Sequence, residues 1–160
     1  MTHMPYAFRK RNPYHRFNGE DLSNQDFSQM VMNHCVFTNC NLQEVNFYDT
    51  ILDGSKFINC NLSGANFSGS SLTFARFVNT NATRANFNNA YCAWATFDKT
   101  SLVSSFFALT FLRWANFIDT DVEKAVFKNV DFEKTHFINT DTSLCDSFPK
   151  NDTNIIRETN

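Results

Sequence analysis

Large apolar residues recur at every fifth position along most of this chain, with small or polar residues between them. One series is phenylalanine alone: Phe17, Phe27, Phe37, Phe47, Phe57, Phe67, Phe77, Phe87, Phe97, Phe107, Phe117, Phe127 and Phe137. Halfway between run Leu22, Met32, Leu42, Leu52, Leu62, Leu72, Ala82, Cys92, Leu102, Leu112, Val122 and Phe132. An α-helix repeats its buried face about every 3.6 residues and a flat strand about every 2, so neither produces this period. The chain must turn through a fixed angle every five residues. The pattern predicts a solenoid of 25 such units over residues 15–139.

A second position fixes the register. Two residues before each large centre stands a small one, among them Cys35, Cys40, Cys60, Ala65, Ala75, Ala85, Ala95, Ala115 and Ala125. Between small and large there is usually a polar residue, as in Ala65-Asn66-Phe67, Ala85-Asn86-Phe87 and Ala115-Asn116-Phe117. This pattern resembles the pentapeptide repeat family, whose motif is similar to A(N/D)(L/F)xx. The resemblance implies an all-β fold, a right-handed quadrilateral β-helix with four units per coil. It also implies that the large centre and the small residue both point inward.

Packing leads to the same arrangement. If four units close one coil, residues 20 apart stack at the β spacing of about 4.8 Å. The phenylalanines then form two columns on opposite faces, with the leucine-type columns on the other two. The repeat makes about six coils, a rod roughly 30 Å long. Its ends need capping, because each coil covers its open edge only against a neighbour.

The ends depart from the repeat. Residues 1–14 carry Arg9, Lys10, Arg11 and the aromatics Tyr6, Phe8 and Tyr14, which read as an N-terminal cap. Three basic residues are too few for a nucleic-acid or membrane arm. The β-helix is expected over 15–147, although Thr142 and Ser147 fall where apolar centres are due and Phe148 is one place out of register. Residues 148–160 read as a polar tail, disordered from Asn151 to Asn160. The sequence shows no apolar stretch of membrane-spanning or secretory length, so a cytoplasmic location is expected. Cys40 and Cys60 should stack on adjacent coils, and parallel inward side chains in a reducing compartment favour free thiols.

Little in the sequence points to catalysis. His3, His15, His34 and His136 have no partners at metal-ligand spacing, and there is no CxxC, HExxH or glycine-rich phosphate loop. No catalytic residue, metal or cofactor is expected. The ladder Asn39, Asn59, Asn79, Asp119, Asn139 and its neighbour Asn41, Asn61, Asn81, Asp121, Asp141 read as stacked corner side chains that bond along the rod.

The outside of the rod holds one exception to its polarity. Phe74, Trp94 and Trp114 recur 20 apart, each two residues after a centre, and Tyr91 and Phe111 flank the same column. Phe106 and Leu109 are expected on the adjacent face at the same height. Such a stripe reads as a protein-interaction surface on a non-catalytic rod, facing a protein partner or a second copy in a homodimer. The family resemblance implies an alternative: a DNA mimic that binds DNA gyrase or topoisomerase and protects it from inhibitors. Those members are strongly acidic and pair through a C-terminal helical segment. Residues 15–139 here hold 12 acidic against 9 basic residues, net −3, and the end of the chain is short and polar. Direct nucleic-acid binding is not expected.

Overall fold

In the computed structural model, residues 11–159 are described; the cap residues Tyr6, Phe8, Arg9 and Lys10 lie outside them. Eight short strands follow at intervals of about one coil: β1 (Arg16–Asn18), β2 (Val36–Thr38), β3 (Lys56–Ile58), β4 (Arg76–Val78), β5 (Thr96–Asp98), β6 (Asn116–Ile118), β7 (Thr135–Ile138) and β8 (Ile155–Glu158). They form one parallel sheet in sequence order. Phe17 pairs with Phe37, Phe37 with Phe57, and so on to Phe117 with Phe137. Single bridges with the same 20-residue step, such as Asp21 to Asn41, Asp26 to Asn46 and Val31 to Ile51, build the other three sides. The result is a four-sided β-solenoid of about seven turns.

The turn every five residues is made by one backbone conformation. The residue two places after each centre takes a positive φ: for example Asn24 at 58°, Glu44 at 54°, Asn59 at 53° and Asn129 at 55°. On three sides the amide of the small residue bonds back to the carbonyl of the centre, as in Val45 N to Leu42 O at 3.2 Å. That closes a turn whose third residue must be left-handed, which suits Asn and Gly and excludes β-branched side chains. No Val, Ile or Thr occupies a positive-φ position among the described residues. Asn ladders add bonds along the outside, including Asn46 to Asp26 at 3.0 Å, Asn66 to Asn46 at 3.1 Å and Asn59 to Asn39 at 3.2 Å.

The interior is a double stack of phenylalanines. Within a column the ring centroids lie 4.6–5.3 Å apart with nearly parallel planes. Between the two columns they lie 5.7–6.3 Å apart, edge to face. Both geometries are favourable aromatic contacts. The small slots fill the corners, and where they are hydroxylic they bond to a backbone carbonyl of the preceding side, either on the coil below, as Thr50 does to Phe27 O at 2.8 Å and Ser55 to Met32 O at 2.9 Å, or on the same coil, as Ser70 does to Phe67 O at 2.6 Å. All five cysteines are free thiols, four of them buried.

Both ends differ from expectation. Arg11 already bridges to Val31, so the solenoid is under way before residue 15. At the other end the stretch expected to be a disordered tail contains β8, which pairs with β7 and adds a turn to the six expected. Phe148 is off register because it does a different job. It leaves the wall and plugs the open end, with its ring 5.5, 5.3 and 5.2 Å from those of Phe127, Phe132 and Phe137. Ile155 is buried beside it, and the Arg157 guanidinium covers the outer face of the Phe148 ring at 5.4 Å. A cation over an aromatic face closes the core while keeping its charge in water.

Candidate functional site: an aromatic face on the rod

One corner of the rod carries Tyr14, His34, Gly54, Phe74, Trp94, Trp114 and Lys134, one residue per coil, all with positive φ. Two other corners hold mostly polar residues or Gly at this position: Gly19, Asn39, Asn59, Asn79, Lys99, Asp119 and Asn139 on one, and Gln29, Asp49, Gly69, Asn89 and Asn129, with Leu109 the exception, on another. Phe74, Trp94 and Trp114, at φ of 59°, 55° and 60°, are bulky side chains in a conformation that disfavours them. They are also 58%, 47% and 38% exposed. The fold demands the conformation, but it does not demand aromatics there. Gly54 ends the ridge: a Cβ on it would stand 2.5 Å from Nδ1 of His34, whose ring stacks on Tyr14 at 5.1 Å.

The side that leads to this corner carries the rest of the set. Along it run Val31, Ile51, Ser71, Tyr91, Phe111 and Asp131, bridged coil to coil. Tyr91 and Phe111 stack at 4.9 Å with planes 4° apart, and Phe74 stacks on Trp94 at 5.3 Å. Leu109 occupies the opposite corner of this side, where it lines a shallow groove with Asn89, Tyr91, Phe111, Asn129 and Asp131. Phe106 is separate. It bridges to Asn86 and Val126 on the preceding side, around the Leu109 corner. The structure thus brings Phe74, Tyr91, Trp94, Leu109, Phe111 and Trp114 onto one face and leaves Phe106 beside it. Ile51, also exposed, extends the face toward the N-terminus.

A polar rim closes both ends of the patch. Toward the N-terminus, Asp53 accepts bonds from the Ser71 hydroxyl at 2.6 Å and the Thr73 amide at 3.1 Å. Toward the C-terminus, Arg113 pairs with Asp131 at 2.6 Å and Glu133 at 3.0 Å. The bond that Arg113 donates to Asp131, with the charges of Asp131 and Glu133, raises the Arg113 pKa further. Lys134 lies over the Trp114 ring at 4.6 Å.

The exposed groups of this face are mainly aromatic and aliphatic. Stacked rings present their edges outward, so a partner meets a ridge and not an open aromatic platform. The groove is shallow, without convergent acid, base or nucleophile. Burial raises the thiols of Cys35 and Cys60 to about 11 and that of Cys145 to about 12, and it also pushes Cys92 up, so none is a nucleophile at neutral pH. Among the described residues no group of three or more His, Cys, Asp or Glu could hold a metal ion, and no helix is long and apolar enough to cross a membrane.

The sequence reading found the aromatics but missed their backbone conformation and the part played by Ile51 and Gly54. A signal for the first was available: the absence of β-branched residues two places after every centre.

Comparison with known proteins agrees with this architecture. The pentapeptide repeat region family matches residues 15–81, and the pentapeptide repeats (8 copies) family matches 65–102 and 112–145. No curated protein matches the chain. Among solved structures it is similar to full-length QnrB1, a plasmid-mediated fluoroquinolone resistance protein, with 16% identity over 94% of this chain and 93% of that one and a TM-score of 0.46. A pentapeptide repeat protein from the Arabidopsis thaliana thylakoid lumen shares 25% identity over 70% of this chain and 68% of that one, with a TM-score of 0.34. Rfr23 from the cyanobacterium Cyanothece 51142 shares 15% identity over 94% and 92%, with a TM-score of 0.42. With the repeat matched from residue 15 to residue 145 apart from one short gap, this chain belongs to the pentapeptide repeat family.

Proposed function

We propose that the protein is a non-catalytic interaction module of the cytoplasm, a rigid rod that presents its aromatic face to a protein. The observation that carries this reading is the corner column. Phe74, Trp94 and Trp114 sit on three successive coils in a conformation that favours Asn or Gly, and they are substantially exposed. Strain and exposed apolar surface both cost stability, and a binding role offsets them. Trp and Tyr are also the side chains that most often dominate binding energy.

Gyrase protection by DNA mimicry has less support. A mimic must compete for a site built for phosphate, and residues 15–139 carry a net charge of only −3. The C-terminal segment here forms strand β8 and not a helix.

Affinity capture from the native host with the wild type beside Trp94→Ser/Trp114→Ser tests the reading. A specific protein recovered by the wild type and lost with the variant is the expected result. Recovery of gyrase subunits by both forms alike would overturn it in favour of the mimic.

A further inference from the structure

We infer that the aromatic face pairs with the same face of a second copy, the two rods antiparallel. The inference rests on the interaction reading above and names its partner. The first support is area. The six residues of the face are 38–58% exposed. Side chains of this size offer about 150–250 Å² each, so together they present on the order of 550 Å². With the rim residues Ser71, Thr73, Arg113, Asp131 and Glu133, the face approaches the roughly 800 Å² per partner of a standard interface.

Charge placement selects the geometry. Consider a two-fold axis in the plane of this face, perpendicular to the rod and midway between the coils of Trp94 and Trp114. Tyr91 then meets Phe111 of the second copy, Trp94 meets Trp114, and Phe74 meets Lys134, which already covers one indole. At the edges the Thr73 hydroxyl faces Glu133, and Ser71, whose hydroxyl donates to Asp53, faces Asp131, whose charge Arg113 already balances. The other simple pairings fail. Moving the axis to the Trp94 coil sets Asp53 against Glu133 and Ile51 against Asp131. Moving it to the Trp114 coil sets Arg113 against Arg113 and leaves Phe74 without an apolar partner. An axis along the rod makes the copies parallel and puts Asp131 opposite Glu133 at the same height. Like charges facing each other are costly, so the first arrangement is the one the side chains permit. Its contact is self-complementary, as a two-fold interface requires.

Sedimentation equilibrium and a cysteine cross-link test this directly. The wild type is expected to approach twice the monomer mass as concentration rises. Trp94→Ser/Trp114→Ser should weaken association by at least about 100-fold, since each dimer loses four hot-spot indoles. Its far-ultraviolet circular dichroism should be unchanged. Mixed Thr73→Cys and Glu133→Cys proteins should form an interchain disulfide under mild oxidation that neither forms alone. Four of the five native thiols are buried, and a variant-free control accounts for Cys145. A wild type that stays monomeric at millimolar concentration would overturn the self-pairing. The interaction reading would then stand or fall separately, by whether capture from the host depends on the two tryptophans. A dimer in which Thr73→Cys cross-links to itself would overturn the antiparallel register.

Discussion

Removing one central phenylalanine tests the packing most severely. The Phe67 ring is fully buried and touches four others, Phe47 at 5.2 Å, Phe87 at 5.0 Å, and Phe57 and Phe77 both at 5.7 Å. Truncating a buried Phe to Ala costs about 3–5 kcal/mol through lost transfer energy and the cavity that remains. The site cannot collapse to recover part of that cost. The wall is held by ladder bonds on both sides, Phe67 N to Asn86 O and Phe47 N to Asn66 O, each 2.7 Å. Phe67→Ala is therefore expected at about 4 kcal/mol or more, a large share of the roughly 5–15 kcal/mol that stabilises a typical domain. With a urea slope near 2 kcal/mol per molar, the denaturation midpoint should fall by ~2 M. Lys56→Ala is the matched control: Lys56 is exposed and sits opposite Arg76 in the sheet, so its loss should cost almost nothing. Asn66 is not such a control, although it points outward. Its side chain bonds to Asn46 at 3.1 Å and accepts the Ser68 amide at 3.1 Å, so Asn66→Ala should cost about 1 kcal/mol. Equal midpoints for Phe67→Ala and Lys56→Ala in urea, followed by circular dichroism, would refute the assignment of the phenylalanines to a clamped core.

Three further outcomes follow from particular residues. The rings flanking Ala82 lie 5.8 Å apart against 5.7 Å beside Leu62, so the wall has not closed in around the smaller side chain. Ala82→Leu should therefore stabilise by about 0.5–2 kcal/mol, and a lowered melting temperature would show the space to be filled already. Truncation after Ser147 removes the Phe148 plug and β8, and should lower the melting temperature by several degrees; an unchanged value would return 148–160 to the status of a tail. Burial holds the Cys35 and Cys60 thiols protonated up to about 11 against an ordinary 9.0, so the unfolded chain loses these protons first. Stability should be level between neutral pH and about pH 9 and decline through pH 11, and a midpoint flat across that alkaline window would contradict the burial.

The solenoid was legible because its period belongs to no helix or strand, and the inward slots follow from that period alone. The closure of the C-terminal end was not. Phe148 breaks register to turn into the core, and Arg157 stands opposite Phe137, where the repeat would place an apolar centre, so the period does not announce β8. A terminal coil needs only one covered face, so its pattern is diluted in a way the inner coils never are. The aromatic face was half legible. Spacing placed Phe74, Trp94 and Trp114 in one column and Phe106 on the adjacent side, but it did not place Leu109 at the left-handed corner that the two sides share.

Both tryptophans lie on the aromatic face, so collisional quenching of their fluorescence by acrylamide reads that face alone. In dilute protein the indoles should be readily quenched, and they should become protected as the second copy or another partner binds. Indoles already shielded in the dilute monomer would mean that the chain covers its own ridge, and the face would then not be an interaction surface.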